Sequence, residues 1–152
     1  MNDAVVPGVI RPKAIGIFRR SGRILACEMY DPTKKEYFYC PPGGGIEFQE
    51  TSDAALRREI KEELGTEAEH PRLLHILENI FTVDGKQGHE IVFVYAAELQ
   101  DKSLYEVSHL EGIESSGIPF NAVWLDLDTL GAGTPPLYPE GLLELLRAEP
   151  LA

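Results

Sequence analysis

Hydrophobic and polar residues alternate along much of this chain with the period of two that is typical of β-strands. Residues 13–19 (KAIGIFR) and 23–30 (RILACEMY) predict two strands joined by a tight turn at residues 20–22. The same pattern predicts four further strands, at residues 37–39, 72–82, 89–99 and 122–125. A domain rich in β-sheet is therefore expected.

Two segments have the helical period instead. Residues 52–64 predict a central helix that Ser52 caps and Gly65 ends, and residues 138–148 predict a terminal helix with an aliphatic stripe. Several strands with one central and one terminal helix predict a single α+β domain with a mixed sheet, spanning residues 1–152.

Two stretches carry no regular pattern. Residues 41–45 (PPGGG) predict a turn that no strand or helix crosses. Residues 100–119 predict a loop of some twenty residues, and loops of about that length in compact domains are usually functional or disordered. We therefore expect residues 100–119 to gate a pocket.

Composition and charge narrow the class of protein. The chain has 152 residues, of which 43% are hydrophobic, and this suits one domain with one core. Its net charge of −11 repels phosphate backbones, so we expect no nucleic-acid partner. Neither a membrane-length apolar run nor a secretory signal is apparent, and two cysteines form no disulfide framework. A cytoplasmic protein is expected.

The central helix carries three glutamates on one face. Glu59, Glu62 and Glu63 have helical spacings of three and four, and like charges so placed destabilise a helix by about 0.2–0.5 kcal/mol per pair. One explanation is a solvated acidic face. The other is a site for Mg²⁺ or Mn²⁺, since these cations prefer oxygen ligands.

The loop before this helix favours the second explanation. Residues 43–45 are glycines that can bring bare backbone close to a ligand. From Gly44 to Thr66 the chain reads GGIEFQETSDAALRREIKEELGT, which resembles the box that defines the Nudix family. The matching positions are Gly44, Glu50, Arg58, Glu59, Ile60, Glu62, Glu63 and Gly65. Thr66 replaces the usual aliphatic residue and Gln49 a common glycine, and neither change removes a metal ligand.

This resemblance implies a Nudix-type α/β/α sandwich and an activity. Family members of this kind hydrolyse a phosphoanhydride bond in a nucleoside diphosphate-linked small molecule, which gives a nucleoside monophosphate and a phosphorylated product. It implies that Glu59, Glu62, Glu63 and the Gly44 carbonyl bind Mg²⁺ or Mn²⁺. Arg58 would hold the glutamates through ion pairs, with Glu50 in support.

The general base remains open at this point, because the family recruits it from different places. Glu59 in the helix is one candidate. Glu111 and Glu114, in the predicted loop before Trp124, are two others, and Glu90 at the start of a strand is the fourth.

Contacts with the substrate are expected from strand residues. The candidates before the box are Arg11, Lys13, Arg19 and Tyr39. A further candidate is Glu90, at the start of a later strand. The stretch after the box lacks the patterns of hydrolases for ADP-ribose, dinucleoside polyphosphates and NADH, and the upstream motif of coenzyme A hydrolases is missing. The sequence therefore predicts a small nucleotide substrate without naming it, with a homodimer as one option for assembly.

Two other functions are compatible with the same fold. A Nudix-fold module that binds a nucleotide to regulate a partner usually loses box glutamates, and all are present here. An isomerase that uses the same metal site needs a catalytic cysteine, and Cys40 stands just before the glycine loop. A buried strand position is the commoner explanation for such a cysteine.

Overall fold

The structure is a computed structural model, which describes residues 5–114 and 117–149. Strands make up about half of the described chain. They are β1 (Ile10–Ile17), β2 (Arg19–Arg20), β3 (Arg23–Asp31), β4 (Glu36–Cys40), β5 (Gly43–Gly45), β6 (Ala68–Val83), β7 (Lys86–Leu99), β8 (His109–Ile113) and β9 (Pro119–Asp126). The helices are α1 (Ser52–Leu64) and α2 (Leu142–Ala148), with short 3₁₀ turns at Lys102–Tyr105 and Leu127–Thr129.

The strands form two sheets. The first has the order β5-β1-β7-β6, in which β1 runs parallel to β7 while the other neighbours are antiparallel. The second has the order β2-β3-β9-β8, and β4 pairs with β3 off this path. The predicted mixed sheet is confirmed, because parallel and antiparallel pairs meet at β1.

Local chemistry fixes both ends of α1. The Thr51 hydroxyl accepts a hydrogen bond from the Ala54 amide at 3.4 Å, and Gly65 ends the helix in a left-handed conformation with φ of 71°. The cap predicted at Ser52 is therefore wrong by one residue. The Ser52 hydroxyl instead lies 2.6 Å from the Tyr95 hydroxyl, which ties the helix start to β7.

The core divides into two layers. One contains Leu56 and Ile60 of α1, packed with Phe18, Leu25 and other buried residues of both sheets. The other contains Leu142 and Leu146 of α2, packed with Ile15, Ile17, Val92 and Val94. The predicted α/β/α sandwich is confirmed by this arrangement. In the part of the chain that the structure describes, neither helix is long and apolar enough to cross a membrane.

Three predicted boundaries are wrong. Residues 100–119 are not a single loop, because they contain the 3₁₀ turn Lys102–Tyr105 and the strand β8; residues 115–116 lie outside the described part. The glycine run includes β5, which pairs with β1. The terminal helix starts at Leu142 rather than residue 138.

The strand β8 escaped prediction because one of its inward positions is a glycine. Leu110 and Gly112 are buried while His109, Glu111 and Ile113 are exposed, so the alternation is present. A Cβ on Gly112 would lie 2.4 Å from the Phe120 ring and 2.6 Å from the Glu63 carbonyl oxygen. The close packing of β8 against α1 and β9 therefore requires glycine, which carries no hydrophobic signal.

Candidate active site

The glycine loop packs tightly against the acidic helix at Gly44. A Cβ added to this residue would lie 2.4 Å from Cδ of Glu59 and 2.7 Å from both of its carboxylate oxygens. Pairing of Gly44 with Ala14 of β1 holds the loop in this place. Bare backbone and a carboxylate thus meet at one point, an arrangement that only glycine permits.

Arg58 organises the carboxylates around this point. Its Nε and Nη2 atoms donate to the two oxygens of Glu50 at 2.8 and 2.9 Å, and its Nη1 atom donates to Glu59 at 2.8 Å. A further bond from Nη2 reaches the Gly45 carbonyl at 3.0 Å. These bonds raise the pKa of Arg58 and lower that of Glu50. The guanidinium therefore ties the loop, Glu50 and α1 together.

The other two box glutamates have contrasting environments. Glu63 is only 4% exposed, and burial raises the pKa of its carboxyl to about 8. The side chain of Glu62 is 44% exposed and lies 3.6 Å from Nη1 of Arg58. One acid is thus held in a dry environment, while its neighbour is partly exposed and ion-paired with Arg58.

The chemistry of these donors fits a hard divalent cation. The site offers carboxylate oxygens and backbone carbonyls, and a cation would offset the cost of charging the buried Glu63. Within residues 5–114 and 117–149, no three acidic, histidine or cysteine side chains already converge as a metal cage. Glu62 points towards Arg58 instead, so metal binding would require this exposed side chain to turn.

The structure separates the two candidate bases of the 100–119 region. Glu111 is on the outward side of β8, where its side chain is 80% exposed. Glu114 is half-buried and directly follows β8, whose buried residue Gly112 packs against the Glu63 carbonyl of α1. Its backbone closes the following turn, because the Glu114 amide donates to the Ile118 carbonyl at 2.8 Å.

A cavity of about 290 Å³ opens between the first sheet and the β3–β4 hairpin. Lys13, Glu90 and Val92 lie on one wall, and Met29 and Phe38 lie on the other. Cys40 also lines the cavity, four residues before Gly44 in the chain. The cavity therefore adjoins the glycine loop and the acidic helix.

The predicted substrate contacts divide into two groups. Lys13 and Glu90 line the cavity, and Arg11 is next to Glu90 in the register of β1 and β7. Arg19 and Tyr39 do not line it. Contact of these two residues with a substrate therefore stays a prediction that the lining of this cavity does not support.

Arg19 and Tyr39 have contacts elsewhere in the fold. Arg19 follows β1, and its Nη2 atom donates to the Leu146 carbonyl at 3.3 Å, so it anchors α2. Tyr39 packs with the α2 layer, and its backbone bonds to Pro136 and Tyr138. Because strand side chains alternate, Phe38 and Cys40 face the cavity instead of Tyr39.

Asn79 is a cavity residue that the sequence did not reveal. It is 9% exposed, and its Nδ2 atom lies 3.5 Å from Oε1 of Glu90. The antiparallel register of β6 and β7 sets the two residues side by side. A polar residue at a buried strand position was the available signal, but only the strand pairing shows its partner.

The cysteines have the environment of packing residues. Cys27 and Cys40 are opposite each other on β3 and β4, and both are free thiols. Burial raises the pKa of Cys40 to about 12 and that of Cys27 well above its usual value. A thiol so hard to ionise is a poor nucleophile, which favours the structural explanation for Cys40.

The fold, the glycine loop and the acidic helix together define a Nudix-type protein, and comparison with known proteins agrees. The model of the NUDIX domain matches residues 10–144, so the chain belongs to the Nudix family. The sequence predicted membership of this family and a Nudix pyrophosphohydrolase, and both predictions are confirmed. Comparison with curated proteins gives no match.

Solved structures resemble this chain over most of its length. A MutT NUDIX hydrolase from Burkholderia pseudomallei is 25% identical, with 93% of this chain and 99% of that chain covered and a TM-score of 0.65. The E. coli ORF135 protein is 25% identical, with 91% and 89% covered and a TM-score of 0.59. An ADP-ribose pyrophosphatase from Streptococcus suis, 18% identical with 90% and 87% covered and a TM-score of 0.56, shares the fold.

Proposed function

We propose that this protein is a Mg²⁺- or Mn²⁺-dependent hydrolase of a phosphoanhydride bond in a nucleoside diphosphate-linked small molecule. The products would be a nucleoside monophosphate and a phosphorylated compound. The observation that carries the proposal is the meeting of Gly44 with the Glu59 carboxylate, 2.4 Å from the position of a Cβ, inside the hydrogen-bond network of Arg58.

The proposed ligands are all oxygens from this small region. Glu59, Glu62, Glu63 and the Gly44 carbonyl would hold the cation. When bound, the cation would neutralise charge on the diphosphate and orient a water for attack. Arg58 would keep the Glu59 carboxylate in position, since its 2.8 Å bond leaves that side chain little freedom.

Glu114 or Glu59 would take the proton of the attacking water. The half-buried place of Glu114 at the end of β8, the strand that packs on α1, supports the first choice, and the place of Glu59 beside Gly44 supports the second. The outward direction of Glu111 argues against that residue. A general base typically contributes about 10²–10⁴-fold to the rate, so substitution distinguishes the two.

The setting of the reaction follows from charge and cysteine chemistry. A net charge of −11 argues against nucleic-acid partners. Two free thiols on paired strands suit the reducing cytoplasm, where we propose the protein acts. A homodimer stays a prediction.

Product analysis tests the proposal. The protein is incubated with Mg²⁺ or Mn²⁺ and a panel of nucleoside triphosphates, nucleotide sugars, ADP-ribose and dinucleoside polyphosphates, and the products are separated by chromatography. We expect a nucleoside monophosphate and a phosphorylated co-product from at least one compound, and no turnover in EDTA. Turnover that is indifferent to EDTA would contradict the proposed chemistry.

A further inference from the structure

A buried pair of polar side chains lies in the cavity beside the active site. Asn79 and Glu90 are 9% and 8% exposed, and the bond between Asn79 Nδ2 and Glu90 Oε1 is long, at 3.5 Å. No other hydrogen bond to the Glu90 side chain occurs among the described residues. A buried carboxylate with one long bond retains most of its capacity to accept hydrogen bonds.

The fold fixes this pair in place. Asn79 and Glu90 are directly paired across β6 and β7, with Phe81 paired to Gly88 and Leu77 to Val92 on either side. A Cβ on Gly88 would lie 2.3 Å from the Phe81 ring, so the ring rests on the β7 backbone. The two polar groups are therefore presented by a rigid sheet.

The rest of the cavity suits a flat, uncharged ring. Its walls include Met29, Phe38 and Val92, and the Phe38 ring is supported by Tyr138 at a centroid distance of 5.5 Å. Two lysines and four acidic residues line it, so its net charge disfavours a phosphate group. The ionisable lining residues are Lys13, Lys34, Asp31, Glu36, Glu90 and Glu140.

The distance between the glycine loop and the cavity matches a nucleotide that spans both regions. In the first sheet β7 is two strands from β5, which corresponds to about 10 Å at the usual strand spacing. Lys13 connects the two regions, because it lines the cavity and pairs with Gly45 of the glycine loop. Phosphates at Gly44 would therefore place the base of the same nucleotide in the cavity.

We propose that Glu90, positioned by Asn79, selects a nucleobase with two adjacent hydrogen-bond donors, the edge that guanine presents. This inference rests on the proposed function and names its substrate class. The guanine N1–H and N2–H groups would donate to the two oxygens of the Glu90 carboxylate. Adenine and cytosine each offer one exocyclic donor next to a ring acceptor, and that acceptor would face the carboxylate and repel it.

A ribose diol is the other common ligand with two adjacent donors. A ribose lies between the base and the phosphates, so it would sit closer to Gly44 than Glu90 does. The aromatic and aliphatic walls also suit a base better than a sugar. The guanine edge is therefore the better match.

Nucleotides that differ by single groups test the inference on the wild-type protein. Isothermal titration with GMP, IMP and AMP measures binding without turnover, and kcat/KM is measured for GTP, dGTP, ITP and ATP with Mg²⁺. Because IMP lacks only the 2-amino group, we expect GMP to bind about 10-fold more tightly than IMP and about 100-fold more tightly than AMP. GTP and dGTP should have similar kcat/KM, because the base and not the ribose is recognised. A higher kcat/KM for GTP than for dGTP, together with equal affinities for GMP and AMP, would overturn the inference in favour of a diol.

Glu90→Gln tests the residue, and Glu98→Gln on the exposed side of the same strand is the matched control. The Gln variant replaces one acceptor with a donor, so it should lose the preference for GMP over AMP, while the control should keep it. A Gln variant that retains the preference and the wild-type melting temperature would overturn the assignment. If that variant does not fold, the wild-type comparison with IMP still decides.

The outcome of this test is separable from that of the proposed function. If GTP and ATP are cleaved with equal kcat/KM and GMP and AMP bind equally, the guanine inference fails while the hydrolase stands. If GMP binds selectively but no nucleotide is cleaved, the hydrolase fails while the base site stands.

Discussion

Gly44→Ala places a methyl group where the structure has no room for one. The new Cβ would lie 2.4 Å from Cδ of Glu59, well inside van der Waals contact. Glu59 cannot move without cost, since it is buried and bonded to Arg58 at 2.8 Å. Either the Glu59 carboxylate or the β5 backbone must therefore shift.

The size of the effect follows from overpacking and misplacement. Overpacking a dense site costs about 1–3 kcal/mol of unfolding free energy, which lowers the melting temperature of a domain this size by roughly 2–4 °C per kcal/mol. Displacing a catalytic group by about 1 Å costs on the order of 10²-fold in rate. We thus expect a modest loss of stability and a severe loss of kcat.

Gly131→Ala is the control, because a Cβ at Gly131 would meet no atom within 4 Å. It should keep the wild-type kcat and change stability by less than about 0.5 kcal/mol. Both variants are assayed for turnover with saturating Mg²⁺ and for thermal unfolding. A Gly44→Ala variant with the activity of Gly131→Ala would refute the claim that Gly44 and Glu59 form one site.

Three further predictions concern the surrounding acids. Arg58→Lys keeps the charge but loses the paired hydrogen bonds to Glu50. The free energy of unfolding should therefore fall by about 2 kcal/mol in a denaturant titration, and kcat should fall by more than about tenfold in steady-state kinetics. Burial raises the pKa of Glu63 to about 8 from 4.5, so metal-free wild type should lose stability as pH rises between these values. Glu63→Gln should therefore melt higher than wild type in EDTA at pH 8 and equally near pH 4.5; an offset independent of pH would contradict this. Glu114→Gln should lower kcat by at least about 10²-fold if Glu114 is the base, with Glu111→Gln unchanged. Wild-type kcat in Glu111→Gln, Glu114→Gln and Glu90→Gln alike would assign the base to Glu59.

The central helix could be predicted because its determinants are local. Gly65 and the spacing of Glu59, Glu62 and Glu63 are all readable within a few residues of one another. The cap shifted by one residue because Thr51 and Ser52 are chemically equivalent candidates, and tertiary contact with Tyr95 decided between them.

The cavity could not be predicted because its determinants are non-local. Asn79 and Glu90 are eleven residues apart and meet only through the register of β6 and β7. The bond of Arg19 to the Leu146 carbonyl of α2 is likewise non-local, because it joins residues at opposite ends of the chain. For β8, Gly112 satisfied a packing requirement that hydrophobic patterning does not record.

The dependence of turnover on Mg²⁺ concentration in Glu62→Gln tests the account most directly. Glu62 is the exposed member of the acidic cluster, so its substitution should leave the melting temperature unchanged. Glu106→Gln removes an exposed charge just after the 3₁₀ turn and serves as a control. We predict saturable, Mg²⁺-dependent turnover for wild type and for Glu106→Gln. Glu62→Gln should have a rate at least about 10²-fold lower, or should reach saturation only at much higher Mg²⁺ concentration. A Glu62→Gln curve that superimposes on that of wild type would show that the acidic helix is only a solvated surface.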